Sequence, residues 1–133
     1  MDLPDGGAVY GRGRRALPAP TPEFGLYLAH PGLRPRWPSE SIDWPDFRTP
    51  REPAAAAAAI RRAYALAAEG RVVEVACGGG TGRTGTVIAC MAVLAGHPAD
   101  DAVAWTRRHY RRRAVETRSQ CRWVAWFAAT TPD

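Results

Sequence analysis

Lysine is absent from this chain of 133 residues: all 18 basic side chains are Arg, set against 13 acidic ones, for a net charge of +5. Ala, Gly, Pro and Arg are all abundant, which reads as a bias of the coding sequence; a surface tuned for phosphate or nucleic acid is the competing reading, with nucleic acid the less expected partner. Long apolar runs are missing too. No stretch approaches the roughly 20 apolar residues of a membrane-crossing helix, so no membrane partner is expected. The opening MDLPDGGAVYGRGRR has no apolar segment of the secretory kind, and the expected location is cytoplasmic. Cysteine is scarce and odd in number. Cys77, Cys90 and Cys121 do not make the disulfide framework of a small secreted domain. No Cys/His grouping has zinc-site spacing, so neither a metal nor a cofactor is expected. No internal repeat is visible.

What is present suffices for one globular domain over 1–133 with a real core. Residues 1–22 are rich in Gly, Pro and Arg and read as an irregular segment, in which AVYGRGRR (8–15) is a candidate edge strand. EFGLYLAH (23–30) reads as a short strand, PGLRPRWPSES (31–41) as loop, and SIDW (41–44) as another short strand ending at Pro45. In TPREPAAAAAAIRRAYALAAEG (49–70), Thr49 and Glu52 have capping-box spacing and Pro50 suits the first helical position. Pro53 moves the expected start of that helix towards 53, and Gly70 supplies its stop. The alanines are helix filler with the highest intrinsic propensity. RVVEVAC (71–77) is a β-branched strand expected at the centre of the sheet. TGTVIACMAVLAG (84–96) is apolar nearly all round and reads as a buried helix ended by Gly96. PADDAVAWTRRHY (98–110) opens on Pro and two Asp, which suit the positive end of a helix, with Val103, Thr106 and Tyr110 inward. TRSQCRWVAWFAAT (117–130) reads as a last helix with Trp123, Val124, Trp126 and Phe127 in the core. Strands, a helix, a strand and then several helices make an α/β chain with a small central sheet.

The chemistry concentrates in VVEVACGGGTGRTGT (72–86), where a strand runs into a glycine-rich loop and a helix follows. Three phosphate-holding loops fit to different degrees. A nucleotide P-loop would need Gly where Cys77 stands and Lys where Arg83 stands. A dinucleotide turn matches Gly80-x-Gly82-x-x-Gly85, but Asp100 and Asp101 open a helix where the ribose acid should end a strand. The third reading takes Cys77 and Arg83 as C-x5-R with Thr84 following. Glycines let successive N–H groups converge on an anion at a helix N-terminus, and an Arg forks onto two phosphate oxygens. The same positive field favours a thiolate. A nucleophile then stands at the floor of a bowl for one phosphate.

That loop resembles the H-C-x5-R-[ST] signature of the cysteine-dependent protein tyrosine phosphatases, and a second motif of that family lies upstream as Trp44-Pro45-Asp46. VETRSQ, with Glu116, Thr117 and Gln120, looks like the family's glutamine loop. The resemblance covers roughly residues 40 to 127. It implies a mostly parallel sheet flanked by helices, as in compact dual-specificity members, and hydrolysis of phosphate monoesters through a phosphocysteine. It implies Cys77 as nucleophile, and the amides of Gly78, Gly79, Gly80, Thr81, Gly82 and Arg83, with the Arg83 guanidinium, as the phosphate cradle. It further implies Asp46 as general acid and then base, Thr84 as partner of the departing thiolate, and Gln120 with Glu116 as water-positioning groups. The substrate would be a phosphorylated protein or a small phosphate ester, with phosphotyrosine or dual specificity expected from the short stretch before Asp46. A non-catalytic phosphoprotein-binding module, and phosphatases of RNA 5′-phosphates or phosphoinositides, are the alternatives. The family would have His where Ala76 stands, so a looser hold on the thiolate and slower chemistry are expected, without loss of activity.

Other residues read as structural. Cys90 in a buried helix and Cys121 near the last helix are expected to pack, with a protective disulfide to Cys77 as the alternative. His97 is a helix-entry residue before Pro98, while His30 and His109 offer no partner. RRHYRRR (107–113) reads as a solvated helix end whose arginines also rim the site. Glu74, within a strand, is expected to pair with an Arg.

Overall fold

The structure, a computed structural model, describes residues 1–13, 21–28 and 35–130. Four strands, β1 (Tyr10–Gly13), β2 (Phe24–Tyr27), β3 (Ser39–Ser41) and β4 (Val73–Cys77), form one sheet in the order β1-β4-β2-β3, with every pairing parallel. The helices are α1 (Pro53–Ala68), α2 (Gly82–Leu94), α3 (Ala102–His109), which a short 3-10 turn at Ala99–Asp101 precedes, and α4 (Arg118–Ala129). The α/β expectation with a small parallel sheet holds.

β4 lies between β1 and β2 and is buried along its whole length, as its β-branched sequence predicts for a central parallel strand. Alternation turns Val73, Val75 and Cys77 towards the main apolar core. Glu74 and Ala76 point the other way, beside their register partners Tyr10 and Arg12 on β1 and Gly25 and Tyr27 on β2. Glu74 is buried but satisfied: its carboxylate takes a bidentate contact from Arg12 and the Tyr27 hydroxyl at 2.7 Å, and Tyr27 accepts from Trp37 Nε1 at 2.6 Å. The expected Arg partner is thus Arg12, whose guanidinium is raised further by the adjacent carboxylate. Burial and the same carboxylate push the Tyr27 phenol up to about 12.

α2 is the hub of the helical layer, touching α1, α3 and α4 as well as β4 and β1. Residues 82–92 of it are all buried, which accounts for a sequence that is apolar nearly all round. Gly70 and Gly96 have positive φ (+88° and +101°), as helix-ending residues do.

Four expectations shift. The strand expected at 41–44 lies earlier, at Ser39–Ser41, because its partner β2 runs out at Tyr27, which pairs with Ser41. The Thr49–Glu52 capping box does not form. Pro53 takes the first helical position, and the residue before a proline is driven away from helical backbone; Glu52 has φ −123° and ψ 87° with no side-chain cap. The segment 1–22 is less irregular than its composition implies, since β1 extends the sheet, although residues 14–20 lie outside the described residues. Trp126 is an exposed side chain, not core. At about 100° per residue, Gln120, Trp123, Val124 and Phe127 share one arc of α4, and Trp126 falls at its edge, with its ring 5.5 Å from that of Trp123. On α3, Thr106 is buried as expected, together with Ala102 and Trp105, while Val103 and Tyr110 are only half-buried.

Candidate active site

Cys77 is the last residue of β4, and α2 begins five residues later, so the 78–81 loop must turn tightly from strand to helix. Sulfur Sγ is buried and accepts two hydrogen bonds, from the Gly80 amide at 3.2 Å and from the Thr84 hydroxyl at 3.0 Å. Two donors thus converge on one sulfur. Thr84 belongs to the first turn of α2, whose N-terminal amides and dipole add positive potential at the same place.

The outer side of the loop is held by residues just past α3. Tyr110 donates its hydroxyl to the Gly80 carbonyl, and Arg111 Nη1 donates to the Gly79 carbonyl at 2.8 Å and to Thr81 Oγ1 at 3.1 Å. Arg111 also lies over the Tyr110 ring, 5.2 Å from its centroid. The carbonyls of Gly79 and Gly80 are thus tied outward, and the Gly80 amide points at the sulfur. Ala76 has no polar side-chain atom to share this task, which falls to Tyr110 and Arg111 from outside the loop. Burial pushes the Tyr110 phenol up to about 12, so it stays a donor. The sequence places Tyr110 on the inner face of its helix and Arg111 at a solvated helix end whose arginines rim the site; neither placement shows these contacts to the loop.

Arg83 is buried, and Nη1 donates to the carbonyls of Leu28 (2.9 Å) and Trp44 (3.1 Å). Its Nε has no hydrogen-bond partner and lies 3.5 Å from Asp46 Oδ1. One guanidinium thus clamps the end of β2, the Trp-Pro-Asp segment and the phosphate loop together. Trp44 is buried, donates Nε1 to the Arg48 carbonyl at 2.7 Å, and packs on Trp123 at 5.4 Å. Pro45 then closes a turn with Arg48 (3.1 Å), which leaves Asp46 half-exposed at the rim, its Oδ1 accepting from the Phe47 amide at 3.0 Å. Phe47 has φ +63°, a left-handed conformation rare outside Gly and Asn, and is 56% exposed beside Asp46. Its place directly after Trp-Pro-Asp was the only signal available for it.

The two residues expected to place water are separated. Glu116 reaches the loop: a methyl group at Gly82 would run into its carboxylate. Gln120 is fully buried and its amide is committed elsewhere. Its Oε1 accepts from the Glu116 amide (2.9 Å) and the Thr117 amide (3.4 Å), and its Nε2 donates to the Arg48 carbonyl (3.2 Å). It completes a capping box with Thr117 and ties the start of α4 to the Trp-Pro-Asp segment. Cys77, Cys90 and Cys121 are all free thiols, and Cys90 is buried within α2. His97 pairs with Asp101 at 2.9 Å and His109 with the Trp105 carbonyl at 2.9 Å, while His30 lies outside the described residues.

At Gly80 both the backbone conformation and a close approach of backbone atoms call for glycine. Its φ is +72°, and a Cβ there would stand 2.5 Å from Arg12 C and Gly13 N at the end of β1. Replacing Gly80 by Ala is expected to lower stability by about 3 kcal/mol, read as the shift of a urea unfolding midpoint. A midpoint equal to that of the unsubstituted protein would mean that this backbone fit is not what holds the loop.

Residues 45–129 match the family model of the Swiss Army Knife protein DSP-PTPase phosphatase domain, PTP-SAK. The chain belongs to this family. The matched span opens inside the Trp-Pro-Asp segment and takes in the Cys77 loop and all of α4. This phosphatase domain is similar in fold to the crystal structure of Tk-PTP in the active form, at 23% identity and a TM-score of 0.71, over 83% of this chain and 80% of that one. It is also similar in fold to PTPMT1, at 12% identity and a TM-score of 0.60, over 80% and 76% of the two chains. No curated protein matches it in sequence. A phosphatase of this kind acts on a phosphorylated substrate, and among the described residues no helix is long and apolar enough to cross a membrane.

Proposed function

We propose that this protein hydrolyses phosphotyrosine-type phosphate monoesters through a phosphocysteine intermediate. The observation that carries the reading is Cys77 Sγ, buried and held by two donors beside the buried Arg83 guanidinium. In the first step the Cys77 thiolate attacks phosphorus, the S–P bond forms, and the P–O bond to the leaving group breaks as Asp46 hands its proton to the departing oxygen. Arg83 and the loop amides hold the equatorial oxygens and stabilise the charge that builds on them. In the second step water attacks phosphorus, Asp46 takes its proton, and the S–P bond breaks to return the thiolate, which the Thr84 hydroxyl receives. Glu116, whose carboxylate lies against Gly82 at the loop, orients that water. Gln120 positions the Trp-Pro-Asp segment through Arg48. Support for an aromatic leaving group comes from Phe47, whose exposed ring beside Asp46 offers it an apolar face.

The test is hydrolysis of aryl phosphates by the unsubstituted protein and by Asp46→Asn. Loss of a general acid is expected to lower kcat about 10²–10⁴-fold with phenyl phosphate. A smaller loss is expected with p-nitrophenyl phosphate, whose leaving group has less need of a proton. Equal losses with both substrates would remove Asp46 from the role of acid.

A further inference from the structure

Glu74 is a buried carboxylate that the reaction above does not use. On the sheet it is the diagonal neighbour of Arg12, since Tyr10 pairs with Glu74 and Arg12 with Ala76. Arg12 forks onto it through Nε and Nη2, and Nη1 donates to the Gly13 carbonyl at 3.2 Å. Tyr27 donates its hydroxyl to the same carboxylate at 2.7 Å. Stability alone is weak ground for such a pair, because well-packed apolar side chains of similar volume serve as well or better. What this pair holds in place is the end of β1, a strand of four residues at the sheet edge. Short terminal strands of this kind fray most readily. Yet the last peptide of β1 is the surface on which the catalytic loop rests. A Cβ on Gly80 would stand 2.5 Å from both the Arg12 carbonyl carbon and the Gly13 nitrogen. One on Gly13 would stand 3.1 Å from the Gly79 carbonyl oxygen. The Gly80 amide in turn donates to Cys77 Sγ at 3.2 Å.

We propose that Glu74 is a positioning residue for the reaction: by clamping Arg12 it fixes the Arg12–Gly13 peptide against Gly80, and so keeps the Gly80 amide on the Cys77 sulfur. The role rests on the phosphatase reading above and adds to it the part that aims the nucleophile. A loop free to shift by about 1 Å would point the sulfur away from the line of attack, and a misplacement of that size costs about 10²-fold in rate. The clamp needs a guanidinium, whose separate nitrogens meet two carboxylate oxygens and a carbonyl at once. An ammonium presents a single point of charge in their place.

The experiment measures kcat and KM for p-nitrophenyl phosphate, the urea unfolding midpoint, and hydrogen exchange at the Gly80 amide by NMR, in the unsubstituted protein and three variants. Arg12→Lys keeps the charge and gives up the fork. Its kcat is expected to fall about 10- to 100-fold with KM little changed, and exchange at Gly80 to quicken. The apolar pair Arg12→Met/Glu74→Leu is expected to keep the unfolding midpoint and to lose kcat to the same extent. Tyr27→Phe removes one donor from the carboxylate and leaves the fork to Arg12 in place. It is expected to lower the midpoint and keep kcat. A purely structural role would instead make kcat follow the midpoint across the three variants, and that result overturns the proposal. So does a kcat within about threefold of the unsubstituted value in Arg12→Lys, which decides the matter alone if the apolar pair does not fold. An inert unsubstituted protein overturns the phosphatase reading on which the role rests.

Discussion

Replacing Cys77 by Ser is expected to lower kcat towards p-nitrophenyl phosphate by about 10⁴-fold or more, while the fold and the affinity for a phosphopeptide survive. The two side chains are nearly the same shape, so the loop has little to readjust. The Gly80 amide and the Thr84 hydroxyl would still donate to the atom at that position. What changes is ionisation. A thiol gives up its proton far more readily than a hydroxyl, and the thiolate is the nucleophile, whereas a serine hydroxyl stays protonated unless a base removes its proton. Among the described residues, no histidine is bonded to Cys77 Sγ. Stability is expected to stay within about 1 kcal/mol, by urea unfolding. Rapid acid quench with a radiolabelled substrate should trap a phosphorylated protein in the unsubstituted chain and none in Cys77→Ser. Turnover within tenfold of the unsubstituted protein would rule out Cys77 as nucleophile. An inert unsubstituted protein that still binds phosphopeptide would instead make the domain a binding module.

The parts of the site that were legible in the sequence are those for which chemistry demands a particular residue in a particular place. Cys77, Arg83 and Thr84 are fixed by a loop that must begin at a strand end and finish in a helix, and the structure puts them there. Trp44-Pro45-Asp46 was legible because the tripeptide is rare, and Arg83 Nη1 on the Trp44 carbonyl shows how a segment so far away along the chain meets the loop. The parts that were not legible depend on tertiary contact. Tyr110 and Arg111 lie in an arginine-rich run that points to solvent and to the rim of the site, but to no contact with the loop. Their role follows from α3 ending where the carbonyls of Gly79 and Gly80 need donors. Gln120 was assigned to water by its motif, yet in the fold its amide bridges α4 and Arg48, and no spacing rule could have shown that. The strand offset at 39–41 has the same origin: a short strand has no boundary of its own and stops where its partner stops.

Arg83→Lys keeps the charge and is expected to lose most of the function. The guanidinium acts through all three of its nitrogens. Nη1 holds the Leu28 and Trp44 carbonyls, while Nε, which has no hydrogen-bond partner and lies 3.5 Å from Asp46, forms with Nη2 the edge that would fork onto phosphate oxygens. An ammonium is a single point of charge with three donors. If it stays with the two buried carbonyls it leaves the phosphate, and if it moves to the phosphate it leaves those carbonyls unpaired, at about 1–3 kcal/mol for each buried group. Either way the Trp-Pro-Asp segment is no longer tied to the phosphate by one rigid group, so Asp46 drifts from the leaving oxygen just as the transition state loses its bidentate contact. The expected fall in kcat/KM is about 10³-fold, set by the loss of one preorganised electrostatic contact and of orientation, with stability lower by about 2 kcal/mol. Arg83→Ala should be worse on both counts, and added guanidinium should restore part of its rate by refilling the phosphate contact without repairing the clamp. If Arg83→Lys kept kcat/KM within threefold and its unfolding midpoint unchanged, positive charge alone would be what the reaction requires, and the clamp would be structural decoration around it.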